Sequence, residues 1–286
     1  ILKDFFSTNA YWGLGGYWKK STFTIQSKLP LNYRYNDPYD ALDIKFSEEG
    51  GVEVLTAELK RPICLDVTHE VHSILPSKKA LWLITSSIEE HSELISTFTP
   101  GYVDVISSEL PEPYKAIVEV AAQIEDEIDQ LDYVTSSLNE VIRYMGDWRT
   151  VEGSYFPRPL KEVLDVGFGD CKDFSASTAA ILNRLGYKAY AVLVYRGEGA
   201  MIQEHALPSL NYYNHAMVFA VSPSGREFFL DPTNFVSMSD GVFPDIAGKE
   251  VYILDLENPR ASKIPNIDYK NARIELYRDI EFNDNT

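Results

Sequence analysis

The run CKDFSASTAAILNRLGYKAYAVLVYR, residues 171–196, constrains the fold more than any other stretch of the chain. Residues 171–185 are small or helix-favouring, and Phe174, Ile181, Leu182 and Leu185 recur on one helical stripe, with Thr178 on the same face. Gly186 stands where a helix closes through a left-handed residue. KAYAVLVYR (188–196) then reads as a strand buried on at least one face. A helix of little bulk, returned at once into an apolar strand, belongs beside a sheet.

The rest of the chain supplies that sheet and its neighbours. YYNHAMVFAVS and REFFLDPT are two strand-like runs joined by PSG, a hairpin signal. EVYILDL (250–256) and NARIELYRDIEF (271–282) extend the strand list, and the polar stretch 197–211 is a loop. Upstream, residues 112–132 place Ile117, Val120, Ala121, Ile124 and Ile128 at helical intervals, with acids opposite. Residues 133–148 give a second helix burying Leu138, Val141 and Ile142. Residues 1 to about 107 are β-rich, with alternating runs at 21–29, 42–47, 52–59 and 80–87 separated by turn signals, as in a sandwich or a curled antiparallel sheet. SSELPEP punctuates the change, so the expected organisation is a β-rich region over 1–109, an α+β region over 110–268 and a terminal strand over 269–286.

Charge narrows the function classes. The chain carries 43 acidic against 26 basic side chains, a net charge of −17. A surface that acidic repels nucleic-acid phosphates and anionic lipid. No window approaches the roughly 18 apolar residues of a membrane span. The opening ILKDFFSTNAYWGLGGYW has no Met and no secretion-signal pattern, as in a chain that begins within a longer protein. Cys64 and Cys171 are the two thiols; they make no zinc site, and sequence leaves a bridge between them open. No phosphate loop, calcium loop or metal motif appears, so no cofactor is implied.

Three residues carry the chemistry. Cys171 falls in the first turn of its helix, where unpaired N–H groups and the helix dipole favour an anion. Gly167 and Gly169 before it permit a sharp turn and leave room for a substrate chain. His215 lies in the first hairpin strand and Asp231 at the end of the second. Pairing Val221 with Arg226 sets Ala216 opposite Asp231, and a shift of one residue sets His215 opposite it. Register decides whether they touch. A thiol, an imidazole and a carboxylate in this order fit a nucleophilic triad: thiolate attack on a carbonyl, proton transfer by His215, orientation by Asp231.

FGDCKDFSASTAAILNRLGYKAYAVLV, YNHAMVFAV and FFLDPT together resemble the transglutaminase-like superfamily, a papain-like fold, and most closely its bacterial members with an R-x-G-D-C-K-D motif behind a DUF3857-type β domain. VIRYMGDWRTVEGSYFPRPLKEVLDVGFGDCKD is similar to that group's lead-in. The resemblance covers residues 138–235 strongly and 20–107 weakly. It implies Cys171 as nucleophile, His215 as base and Asp231 as orienter. It also implies thioester chemistry on a protein or peptide substrate: a protease, peptidase, deamidase or transglutaminase. An envelope location outside the bacterial cytoplasm is implied on the same ground. The family's oxyanion donors point to the Cys171 N–H and to an upstream indole, for which Trp148 is the nearest candidate. The basic residue usual before G-D-C in that group is missing from the approach VGFGDC, where Gly167 stands in its place, and this alters the rim of the site. A catalytically silent binding module on the same fold is the competing reading.

Simpler roles stand beside each of these residues. A lone Cys is commonly an inert core residue, and Cys64 is read as core. Asp231 before Pro232 suits a turn. Asp170 and Asp173 suit a helix start, with Lys172 paired to one of them on the surface. His205 is read as solvated, and His69, His72 and His91 have no ligand spacing.

Overall fold

The computed structural model describes residues 5–65, 79–146, 155–197, 207–209, 212–234, 239–267 and 276–280. The first strands are β1 (Ser7–Trp12), β2 (Thr22–Ser27), β3 (Asn32–Asn36), β4 (Leu42–Glu49), β5 (Val52–Leu59) and β6 (Leu81–Ser86). They form two antiparallel three-stranded sheets, β1-β6-β3 and β2-β5-β4. Trp12, Leu81 and Leu83 from one sheet share a core with Leu55, Ala57 and Leu59 from the other, so of the two arrangements the alternation leaves open the two sheets pack face to face. The uniformly buried β6 has a second role. Trp82 and Ile84, on its other face, pack with Leu207 and Tyr212 ahead of the candidate His.

The helices are α1 (His91–Ser107), α2 (Glu112–Ala121), α3 (Glu127–Val141), α4 (Leu160–Val166) and α5 (Cys171–Arg184). Helix α1 falls in the region read as β-rich. Its β-branched residues, Pro100 and Gly101 argue against a helix locally. Tertiary packing overrides them, burying Ile95, Tyr102 and Ile106 in the core around α5. The expected helix over 112–132 is two helices, because Asp126 caps a new start by accepting from the N–H groups of Ile128 and Asp129. The buried face of α2 is Tyr114, Ile117 and Ala121, while Val120 is exposed.

The remaining strands are β7 (Arg143–Tyr144), β8 (Phe168–Gly169), β9 (Lys188–Val194), β10 (His215–Val221), β11 (Glu227–Leu230), β12 (Glu250–Ile253) and β13 (Arg260–Lys263). Five make one antiparallel sheet in the order β11-β10-β9-β12-β13; β7 and β8 form a short parallel pair. Helix α5 lies against β9 and β10 and is buried on all sides from Cys171 to Leu182. Ala176, Ala179 and Ala180 account for its small-residue character, since each is within 1% of full burial. Gly186 has φ +92° and ends the helix as the sequence indicates. Opposite α5, Met217 and Phe219 share a second core with Val192, Val251 and Ile264. The expected strand over 271–282 is not formed at Leu276–Ile280, which are exposed; the rest of it lies outside the described residues. Among those residues no helix is long and apolar enough to cross a membrane.

Candidate active site

Helix α5 begins with a reciprocal cap. Asp170 accepts from the N–H of Lys172, and the Asp173 carboxylate accepts from the N–H of Asp170 at 3.1 Å. Asp173 is further held by Arg158, whose Nη2 donates at 2.7 Å and whose backbone N–H donates at 2.8 Å. The Arg158 Nη2 also donates to the Phe168 carbonyl at 2.8 Å. Lys172 pairs with Asp170 at 2.5 Å, as the sequence suggests, but the pair is buried, not on the surface. Two carboxylates beside a thiol are thus each matched by a cation, which such burial requires.

The two glycines ahead of the cap have different roles. Gly167, at φ +73°, is the left-handed residue that closes α4. At Gly169 an added Cβ would come within 2.8 Å of the Asp173 Cβ. The space read as room for a substrate is therefore filled at Gly169 by the Asp173 side chain, while at Gly167 nothing lies within 4 Å of an added Cβ. Cys171 at N1 is left with a backbone N–H that no helical carbonyl can reach.

The hairpin register is neither of the two expected. Val221 lies opposite Glu227 and Val218 opposite Leu230, because Gly225 at φ +91° adds a residue to the turn. Continued, this register sets Met217 opposite Asp231, so His215 and Asp231 are same-face diagonal neighbours. They meet nevertheless: His215 Nε2 lies 2.9 Å from Asp231 Oδ2. Asp231 divides its oxygens between its two expected roles. Oδ1 accepts from the Thr233 hydroxyl at 2.6 Å and its N–H at 3.2 Å, making the turn, while Oδ2 takes the imidazole.

Sequence reasoning missed Arg196, which follows β9. Its Nη1 donates to Asp231 Oδ2 at 2.8 Å and its Nε to Asp245 at 2.6 Å. Asn214 braces it from both sides, accepting from the Arg196 N–H at 2.6 Å and donating to the Arg196 carbonyl at 3.0 Å. The signal available was the Arg ending VLVYR and the Asn preceding the His, whose meeting depends on β9 and β10 being neighbours.

Electrostatics follow from these contacts. Burial opposes charge on His215, but hydrogen bonds with Asp231 and Cys171 outweigh it and raise the pKa to about 9. With Nε2 engaged by Asp231, Nδ1 is the ring nitrogen available to the Cys171 thiol. Burial likewise works against the Asp231 carboxylate, yet His215, Thr233 and Arg196 hold its pKa below the ordinary value. Cys171 and His215 border one cavity of about 140 Å³, walled by Phe98, Tyr102, Tyr144, Tyr155 and Tyr213, with Lys172 on its lining. Burial and nearby negative groups raise the Tyr144 phenol to about 12, so it stays protonated at neutral pH.

Among the other candidates, Cys64 is exposed and unpaired with Cys171, so it is not a core residue. His91 stacks on Tyr252 with ring centroids 5.5 Å apart. Trp148, His69, His72 and His205 lie outside the described residues.

No family model matches the chain, and no curated protein matches it. Its fold is similar to that of a candidate protease from Parabacteroides distasonis, with a TM-score of 0.69 at 15% identity over 92% of this chain and 48% of that one. The chain therefore spans about half the length of that protein. Two other solved structures align more loosely. They are the periplasmic domain of TgpA from Pseudomonas aeruginosa (TM-score 0.32, 14% identity, 79% and 78% covered) and a candidate cysteine protease from Cytophaga hutchinsonii (TM-score 0.31, 12% identity, 81% and 80% covered). At 15% identity, what the first likeness shows is a shared α+β fold with antiparallel sheets.

Proposed function

We propose that this chain is a cysteine-dependent acyl-transfer enzyme acting on amide or peptide bonds, with Cys171 as nucleophile, His215 as acid and base, and Asp231 as orienter. The observation that carries the reading is the buried 2.9 Å bond between His215 and Asp231, with Cys171 and the same ring bordering a shared cavity. An imidazole that favours its proton up to about pH 9 suits an ion pair with a thiolate. The thiolate pair forms the S–C bond as the carbonyl π pair moves to oxygen. Collapse breaks the C–N bond, and the departing amine takes the proton from His215. Water or a second amine, deprotonated by His215, then releases the acyl group. The protease name of the Parabacteroides protein favours water as acceptor. The substrate class is protein or peptide, which an acidic surface leaves open where it disfavours nucleic acid.

The chain contains its own reference for the test, since Cys64 is an exposed thiol. At pH 6 iodoacetamide should label the buried Cys171 faster than Cys64, and His215→Ala should abolish the difference. Incubation with a peptide mixture and an acid quench should then show an acyl adduct on Cys171 by mass spectrometry. Labelling slower than at Cys64, with neither adduct nor peptide cleavage, sinks the reading.

A further inference from the structure

Four buried side-chain hydroxyls among the described residues lack a hydrogen-bond partner: those of Tyr102, Thr178, Tyr212 and Ser239. Of these residues, Tyr102 alone borders the cavity shared by Cys171 and His215. Folded proteins pair the great majority of buried polar groups, so a phenol that no protein group engages, on a residue of such a wall, has its donor free for a bound molecule. Its position is fixed from both sides. Helix α1 packs on α5 through Ile95, Tyr102 and Ile106, and the missing side chain of Gly101 lets Phe156 approach so closely that a Cβ there would lie 2.5 Å from its ring. Burial, reinforced by Cys171, Asp170 and Asp173, raises the Tyr102 pKa well above the ordinary value. The group is a protonated donor at any working pH.

Resting on the acyl-transfer reading above, we propose that the Tyr102 hydroxyl is a catalytic hydrogen-bond donor to the carbonyl oxygen that becomes negative when Cys171 attacks. It would act with the Cys171 backbone N–H, the two donors approaching from different helices. The phenol keeps its proton throughout: it donates a hydrogen bond to the oxyanion, and the bond weakens as the carbonyl reforms and the leaving group departs. A donor held in place before the reaction gains strength only as charge develops, which is what accelerates the step.

The test uses p-nitrophenyl acetate, from which Cys171 would take an acetyl group and expel p-nitrophenolate. Wild type should give a burst near one equivalent that vanishes in Cys171→Ala. Tyr102→Phe, which keeps the ring, should slow the burst by about 10²-fold. Its alkylation by iodoacetamide, a displacement that forms no oxyanion, and its Tm should match wild type. A Tyr102→Phe burst at the wild-type rate overturns the inference and leaves the acyl-transfer reading standing. Burst and alkylation falling together also overturn it, by showing a structural role. No Cys171-dependent burst in wild type removes the acyl-transfer reading, and this inference with it.

Discussion

A single carboxylate accounts for much of the site. Asp231 turns the chain with one oxygen and holds an imidazole and a guanidinium with the other. Replacing it by Asn preserves the shape but puts an amide where His215 needs an acceptor, so acetylation of Cys171 should slow by about 10²-fold or more. A fall of less than threefold in the burst rate would remove the orienting role. His215 gives a pH dependence whose sign is fixed. Its folded pKa of about 9 stands above the ordinary 6.5, so its stabilisation is fully present below about pH 6.5 and is lost as pH rises through about 9. The contribution is on the order of 3 kcal/mol. Urea unfolding should show stability falling between pH 7 and pH 10, with a shallower fall in His215→Gln; equal slopes would refute it. At this scale residue types were legible from G-x-C, N-H and D-P-T. Arg196 and Tyr102 were not, because nothing local distinguishes a paired or orphaned polar group from a solvated one.

Helix α5 shows how an element carries a site. Its cap is assembled from Asp170, Asp173 and Arg158, and its close approach to β8 depends on Gly169. Gly169→Ala would drive a methyl group into the Asp173 side chain, which Arg158 and the cap prevent from moving. The expected loss is about 1–3 kcal/mol in urea unfolding, and an unchanged midpoint would mean that the cap is looser than its bonds imply. The helix, its glycine stop and the strand after it were readable because their determinants are local: side-chain size, periodicity and a left-handed Gly. Helix α1 was not, since its propensities oppose it and burial of Ile95, Tyr102 and Ile106 against α5 decides the outcome. Hairpin register failed for a related reason. One left-handed residue, Gly225, displaced every pairing by a step without changing which runs are strands.

Across the whole molecule, a net charge of −17 means that folding gathers like charges. Raising NaCl from about 10 to about 150 mM should therefore raise Tm, as the screening length shortens to about 8 Å; a Tm unmoved by salt would show that the acids are spread widely enough not to repel. At the same scale β6 ties the sandwich to the approach to β10, because Trp82 and Ile84 pack with Leu207 and Tyr212. The sequence by itself determined the α+β class, the principal strands, the helix that opens on Cys171 and the residue types of the site. Each is written in short-range periodicity, turn chemistry and motif. Only the tertiary structure decided that His215 and Asp231 meet as diagonal neighbours, that Lys172 and Asp173 are buried with their partners, that Tyr102 borders the cavity beside Cys171 and that Arg196 binds Asp231. Those outcomes depend on register and on packing between elements far apart in the chain, where one residue's shift changes the neighbour and local pattern leaves no trace of it.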